Sequence, residues 1–378
     1  MPPILSLSFI SASRAFLAFV PPYLRDCGMG EEAIGMLMGV FRLAPILVLI
    51  PFGMLGDRLE PRRLITAGLG FFAVALALAA PTTEFLPLLV LFLLVGMAGS
   101  LFQVNNQATY FKTLGSTARG TKVGWYQGIR AMGFGIGPLV GGVVIHAGWV
   151  TSPMLVGCLL ILPFVFLSLV CERVPGSRIS LLGYGRDVRR PGVLILATVV
   201  LLFSFHFGVE LTSFTLFLED VLHQSKEQIG YTYLYISTVL VAVMLVTGFV
   251  SDRVHRPLAV GLLALLCSGV GNAAMVWVGS LGWLLAVRFL HVIGDGAFMV
   301  FQSVTIANLF HRRRMGGNLG LFVMVGNVGA FIGASVSGYI PGNVYPFLAA
   351  GILSFVGIII FVLFGRPLWQ VTSESAGV

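Results

Sequence analysis

The stretch Gly53-Met-Leu-Gly-Asp-Arg-Leu-Glu-Pro-Arg-Arg63 lies between two long apolar segments, and a second version, Gly248-Phe-Val-Ser-Asp-Arg-Val-His-Arg256, lies between two others. Gly53, Asp57 and Arg58 recur as Gly248, Asp252 and Arg253 at a single offset of 195 residues. The chain therefore reads as a duplication. Glycines at such a place let neighbouring helices approach closely inside a membrane, and arginines hold the turn on the cytoplasmic side. Asp57 needs its own explanation. A carboxylate at the end of a helix opposes that helix's dipole unless Arg58 or the N-terminus of another helix faces it. The pattern predicts a latch.

Composition places the duplication in a bilayer. Of 378 residues, 57% are hydrophobic and 10% charged, with a mean hydropathy of +0.97, whereas about a quarter of a soluble domain is charged. The net charge of +8 is an orientation signal, not a nucleic-acid patch. Most Lys and Arg fall in alternate connections, from Arg58, Arg62 and Arg63 to Arg312, Arg313 and Arg314, and only Arg25 and Lys226 in the opposite set. The positive-inside rule then puts both termini in the cytoplasm, and a plasma (inner) membrane is expected. The first apolar run lacks a charged n-region and carries Arg14 at its centre, so it reads as a retained helix and not a cleaved signal. Cys27, Cys158, Cys171 and Cys267 show no paired or metal-ligand spacing.

A span needs about 20 apolar residues. The expectation is an all-α membrane protein with twelve transmembrane helices over 4–24, 33–55, 64–80, 85–110, 123–145, 154–170, 192–217, 230–248, 259–279, 283–310, 317–339 and 345–364. The fifth segment has the sharpest pattern, Gly124, Gly133, Gly137-Pro138 and Gly141-Gly142. Glycines every three or four residues make a groove for close packing, and a proline in mid-span bends the helix. Gly320, Gly329, Gly333 and Gly338 repeat Gly124, Gly133, Gly137 and Gly142 at an offset of 196. The duplication thus extends over most of each half.

With these motifs in place, the chain resembles the major facilitator superfamily. The Gly53–Arg63 stretch is similar to the signature loop between that family's second and third helices, with its weaker copy between the eighth and ninth. Glu60 stands where the family usually has a glycine. The glycine-proline pattern is similar to the antiporter motif of the superfamily's drug/proton exchangers. The resemblance implies two six-helix bundles, residues 1–170 and 192–378, joined by a cytoplasmic linker at 171–191. They would rock about a site near the membrane midplane. It also implies conformational roles for Gly53, Asp57, Arg58, Asp252, Arg253, Gly133, Gly137 and Pro138.

An ionisable group within a span costs about 2.5 to 3.5 kcal/mol on insertion scales, so each is a candidate for function. His206 and Glu210 are four apart, and Arg288, His291 and Asp295 are spaced three and four, so each set shares a helix face. Arg14, Arg42 and Arg130 also fall within spans. In the resembling family the first, fourth, seventh and tenth helices line the cavity. That implies substrate-binding or coupling roles for Arg14, Gln103, Asn106, His206, Glu210, His291 and Asp295. A histidine beside a carboxylate can take up and release a proton, whereas Arg14 suits an anionic group. The bland reading has Arg288 neutralise Asp295.

The expected function is secondary active transport of a small organic solute by alternating access, as proton-coupled export by antiport. Symport of an organic anion is the alternative. Transport of a divalent metal ion, with the two histidines and two carboxylates as ligands, is a narrower one. A receptor or scaffold would more naturally carry a large extramembrane domain, and an enzyme would need a nucleophile or metal motif. Neither pattern stands in the chain. No cofactor, resident metal or nucleic-acid partner is expected. The expected partners are the small-molecule substrate, protons and the lipid bilayer, and the expected state is a monomer.

Overall fold

Inside a bilayer no water satisfies backbone N–H and C=O groups, so an apolar segment must bond to itself as a helix. The computed structural model of the protein describes residues 1–368 apart from 116, 172, 177–180, 215, 216, 225, 254–256, 338 and 341–343. Among the described residues it is helical throughout, without strands. Ten helices among the described residues are long and apolar enough to cross a membrane, and Pro153–Ser168 is a shorter apolar helix. The chain is an integral, multi-pass membrane protein.

In chain order the helices are α1 (Pro2–Leu17), α2 (Val20–Asp26), α3 (Glu31–Arg58), α4 (Pro61–Ala79), α5 (Phe85–Thr113), α6 (Arg119–His146) and α7 (Pro153–Ser168). They continue as α8 (Leu181–Val188), α9 (Pro191–Val209), α10 (Lys226–Ser251), α11 (Pro257–Ala274), α12 (Leu281–Leu309), α13 (Met315–Ser337) and α14 (Tyr345–Phe364). Two expected segments are broken. The first, 4–24, stops at Leu17 and restarts at Val20, with proline in the first turn of α2. Pro21 and Pro22 have no N–H to donate back, so they fit the first turn of a helix, where no such bond is due. The segment 192–217 is α-helical only to Val209 and continues as π-turns over Glu210–Phe214 and Phe217–Val221. Such widened turns often mark functional positions. Part of the expected linker forms α8, with Tyr184 and Asp187 buried. The side chain of Arg42, the repeat glycine Gly338, and His255 and Arg256 of the second signature lie outside the described residues.

Two compact units divide the chain. One comprises Met1–Thr113, Ile129–Ile179 and Arg312–Met324. Its core joins Phe9 to Phe72 and Phe102, at ring-centroid distances of 5.0 and 4.8 Å, within a larger buried cluster that includes Phe16 and Phe92. The other comprises Leu114–Gly128, Ser180–His311 and Val325–Val378. Its core includes Phe205, Phe214, Phe217 and Phe347.

Glycines set the spacing that matters most in the second unit. A Cβ on Gly271 of α11 would lie 2.6 Å from Cβ of His291, and one on Gly294 of α12 would lie 2.5 Å from the carbonyl oxygen of Ala264. Only their absence lets α11 and α12 come close enough to share polar side chains. Gly271→Val should therefore lower the melting temperature of the detergent-solubilised protein by the equivalent of about 1 to 3 kcal/mol. Gly282→Ala, at a position with nothing within 4 Å, should leave it unchanged or slightly higher. Equal shifts for the two would contradict this packing account.

Candidate functional site

The face of α12 that carries Arg288, His291 and Asp295 is buried. Opposite it, α9 presents His206 in its last turn, Glu210 begins the π-turns, and α11 supplies Ser268. All lie in one unit. The two sets that the spacing placed on separate helix faces meet, but the pairing crosses over. His206 Nε2 is 3.1 Å from Asp295 Oδ2, and His291 Nε2 is 3.0 Å from Glu210 Oε1 and 3.1 Å from Asp295 Oδ2. Ser268 donates its hydroxyl to Asp295 Oδ1 at 2.9 Å. Arg288 bonds Glu210, not Asp295, through Nη1. Sequence spacing reports only neighbours along one helix, so the partners across helices could not be read from it.

The other ring nitrogens decide the protonation. His206 Nδ1 meets the carbonyl oxygen of Phe203, and His291 Nδ1 is 3.2 Å from that of Ser268. A carbonyl only accepts, so each Nδ1 carries a hydrogen and each Nε2 is the nitrogen aimed at the carboxylates. A bare Nε2 lone pair facing a carboxylate oxygen would be repelled. Each of these contacts becomes a hydrogen bond when a proton lies between the two atoms.

Arg288 is 1% exposed. Its guanidinium carbon stands 3.9 Å from the ring centroid of Phe214 and 5.2 Å from that of Phe347. Its Nε and Nη2 are buried and meet no hydrogen-bond partner among the described residues. Asn272, one turn along α11 from Ser268, is also buried with both amide atoms unpartnered among them. One ligand atom from each of His206, Glu210, His291 and Asp295 lies within 4.8 Å of the others. That donor set could hold a divalent transition ion, although the Arg288 cation already sits on Glu210.

The remaining expected residues lie elsewhere. Arg14 on α1 stacks over Phe134 of α6, its guanidinium carbon 4.3 Å from the ring centroid. Gln103 is half-buried on α5. Asn106 donates to the Pro2 carbonyl and to Ser6 Oγ, each at 2.8 Å, and so ties α5 to α1. Gly133 faces Ile10 and the Leu7 carbonyl, and Gly137 faces Ser11 and Arg14, so α6 packs on α1 around Pro138.

The duplicated aspartates form twin clamps. Asp57 accepts from the backbone N–H of Gly316 at 2.9 Å and of Gly317 at 2.8 Å, in the first turn of α13. Asp252 accepts from the N–H of Gly120 at 2.6 Å and of Thr121 at 2.8 Å, in the first turn of α6. Each carboxylate satisfies first-turn donors and the positive end of the dipole. Gly53 faces the backbone of Gly316, and Gly248 faces Gly120 and Gly124, so the glycines of the repeat let these helices touch. The cation on Asp57 is Lys112, with Nζ 2.7 Å from Oδ1, and not its neighbour Arg58. Arg58 points outward from the end of α3 and is exposed, whereas Lys112 reaches in from α5. Arg253 stacks on Phe249 and bonds that residue's carbonyl. Glu60 gathers Arg62 and Arg63 at 3.2 Å and Arg173 at 3.9 Å.

The family model for the Major Facilitator Superfamily matches residues 4–278 and 260–376. An uncharacterized MFS-type transporter of Methanocaldococcus jannaschii is 23% identical over 386 residues, covering 90% of this chain and 94% of that one. Solved structures that share the fold include the following two. One is a bacterial homologue of the iron transporter ferroportin in an outward-facing state, with a TM-score of 0.76, 14% identity and coverage of 97% of this chain and 98% of that one. The other is the human organic anion transporter MFSD10, with a TM-score of 0.73, 18% identity and coverage of 95% and 97%.

The clamp geometry gives a mutational ordering. Lys112→Ala removes the ammonium that lies 2.7 Å from a carboxylate only 1% exposed, and should cost about 2 kcal/mol or more of stability. Arg58→Ala should cost less than about 0.5 kcal/mol. Melting temperatures of the two variants in detergent check this, and a larger loss for Arg58→Ala would contradict it.

Proposed function

Because the chain belongs to the Major Facilitator Superfamily, a family of membrane transporters and not enzymes, we propose that it is a proton-coupled secondary transporter of a small organic solute, with His206, Glu210, His291 and Asp295 as the group that carries the proton. One observation supports this reading above the others. Both Nδ1 atoms are committed to backbone carbonyls, so both Nε2 atoms face carboxylates and the contacts between them depend on protons. A proton lost from either pair turns an attraction between α9 and α12 into a repulsion. Proton occupancy and helix position are thereby coupled through one set of atoms. The π-turns at Glu210 place a widened backbone where that coupling would be felt.

In this reading the bundles of residues 1–170 and 192–378 alternate in access, and the clamps at Asp57 and Asp252 hold one conformation and release it. The distribution of basic residues favours cytoplasmic termini in an inner membrane, and the protein works as a monomer. Close packing of α6 on α1 accounts for Gly133 and Gly137, so that pattern alone does not choose between export and uptake. A divalent metal ion is the second reading, favoured by the convergence of four donors. The Arg288 guanidinium weighs against it, since a buried cation beside Glu210 repels a second one.

Proteoliposomes with an imposed pH gradient separate these readings. Wild type should move protons together with an organic solute, and Asp295→Asn should reduce proton-driven accumulation about tenfold or more, the size of an ordinary coupling free energy. Unchanged accumulation without proton movement would contradict proton coupling. Saturable manganese flux with no organic substrate would favour the second reading.

A further inference from the structure

Buried charges are found paired and hydrogen-bonded, and Arg288, 1% exposed, has only part of its guanidinium bonded among the described residues. Its Nη1 is taken by Glu210, while Nε and Nη2 have no acceptor among the described residues. Those two groups share one edge of the planar guanidinium, and their N–H bonds run parallel along it. That edge is the fork that grips a carboxylate through two bonds at once.

The surroundings limit what the carboxylate is attached to. Phe214 and Phe347 lie against the guanidinium and belong to the apolar core of this unit, with Phe205, Phe217 and Met275. Glu210, bonded to Arg288, has a side chain 26% exposed, so one neighbour of the buried arginine reaches the surface. From this geometry we propose that Arg288 is a substrate-binding residue that holds the carboxylate of a small monocarboxylate with an aromatic or otherwise apolar body. This rests on the proton-coupled reading for its direction of coupling. A bound anion and a bound proton attract each other, so each strengthens the binding of the other. The solute and the proton then travel together, as symport and not exchange.

The test is equilibrium binding to the full-length protein in lipid nanodiscs, with benzoate, benzyl alcohol and benzylamine as probes that share a ring and differ in charge. Benzoate should bind saturably, and benzyl alcohol and benzylamine should each bind about tenfold more weakly or worse, the value of charge-assisted bonds to one group. Arg288→Lys keeps the charge and loses the fork, and should weaken benzoate about tenfold while the melting temperature stays near wild type. Should that variant not fold, the wild-type series decides alone. Benzyl alcohol or benzylamine binding as well as benzoate, no saturable benzoate binding at millimolar concentration, or full affinity in a folded Arg288→Lys would each overturn the assignment. Proton uptake on adding benzoate, followed in weak buffer with a pH dye, tests the underlying reading separately. Benzoate binding without proton uptake leaves Arg288 as the carboxylate site and removes the proton coupling.

Discussion

Two backbone carbonyls, of Phe203 and Ser268, determine what the buried cluster can be. By taking the Nδ1 hydrogens of His206 and His291 they turn both Nε2 atoms toward Asp295 and Glu210. Without those two bonds the rings could flip or change tautomer, and the same residues would be a loose polar patch. The rest of the second unit serves this orientation. Gly271 and Gly294 bring α11 against α12 so that the Ser268 carbonyl reaches His291. The end of α9 at Val209 places Glu210 on a wider turn, where one oxygen meets both Arg288 and His291. The aromatic core around Phe214 and Phe347 keeps water from Arg288 and so raises the value of every charge contact nearby.

The duplication works through the same physics at two other places. A carboxylate at the end of an apolar helix gains by accepting the unsatisfied first-turn N–H groups of another helix, and both copies of the signature do so. Asp57 takes Gly316 and Gly317, and Asp252 takes Gly120 and Thr121, positions that correspond under the offset of 196. The copies differ in what completes them. Lys112 adds a cation to Asp57, whereas Asp252 gains the Thr121 hydroxyl at 2.6 Å. The clamps are alike in what they hold and unlike in charge.

Much of this was legible in the sequence, and the limits have physical reasons. The apolar lengths gave the helical, membrane-spanning class because a bilayer allows little else, and the repeated Gly-Asp-Arg gave the duplication. The dipole argument left two partners for Asp57, Arg58 or the N-terminus of another helix, and the first turn of α13 is the one it meets. Which residue would neutralise Asp57 did not follow, because Lys112 comes from a helix 55 positions away in the chain and the adjacent Arg58 was the nearer candidate. Spacing found His206, Glu210, His291 and Asp295 and missed their crossed pairing. Ser268 and Asn272 carry no sequence signal beyond being polar in an apolar run, a weaker cue than a charge. The π-turns after Val209 left no trace in hydropathy, since Pro191–Phe214 keeps a mean hydropathy of 2.3 across them.

The central claim is that the cluster's Nε2 atoms carry exchangeable protons while its Nδ1 atoms do not give theirs up. Nitrogen-15 magnetic resonance of histidine-labelled protein in lipid bilayers reads both nitrogens directly across a pH series. The account predicts that His206 and His291 keep Nδ1–H at every pH of the series, so that any change of protonation falls on Nε2. Histidines that remain in the opposite tautomer, with Nε2–H fixed and Nδ1 bare at every pH, would contradict it.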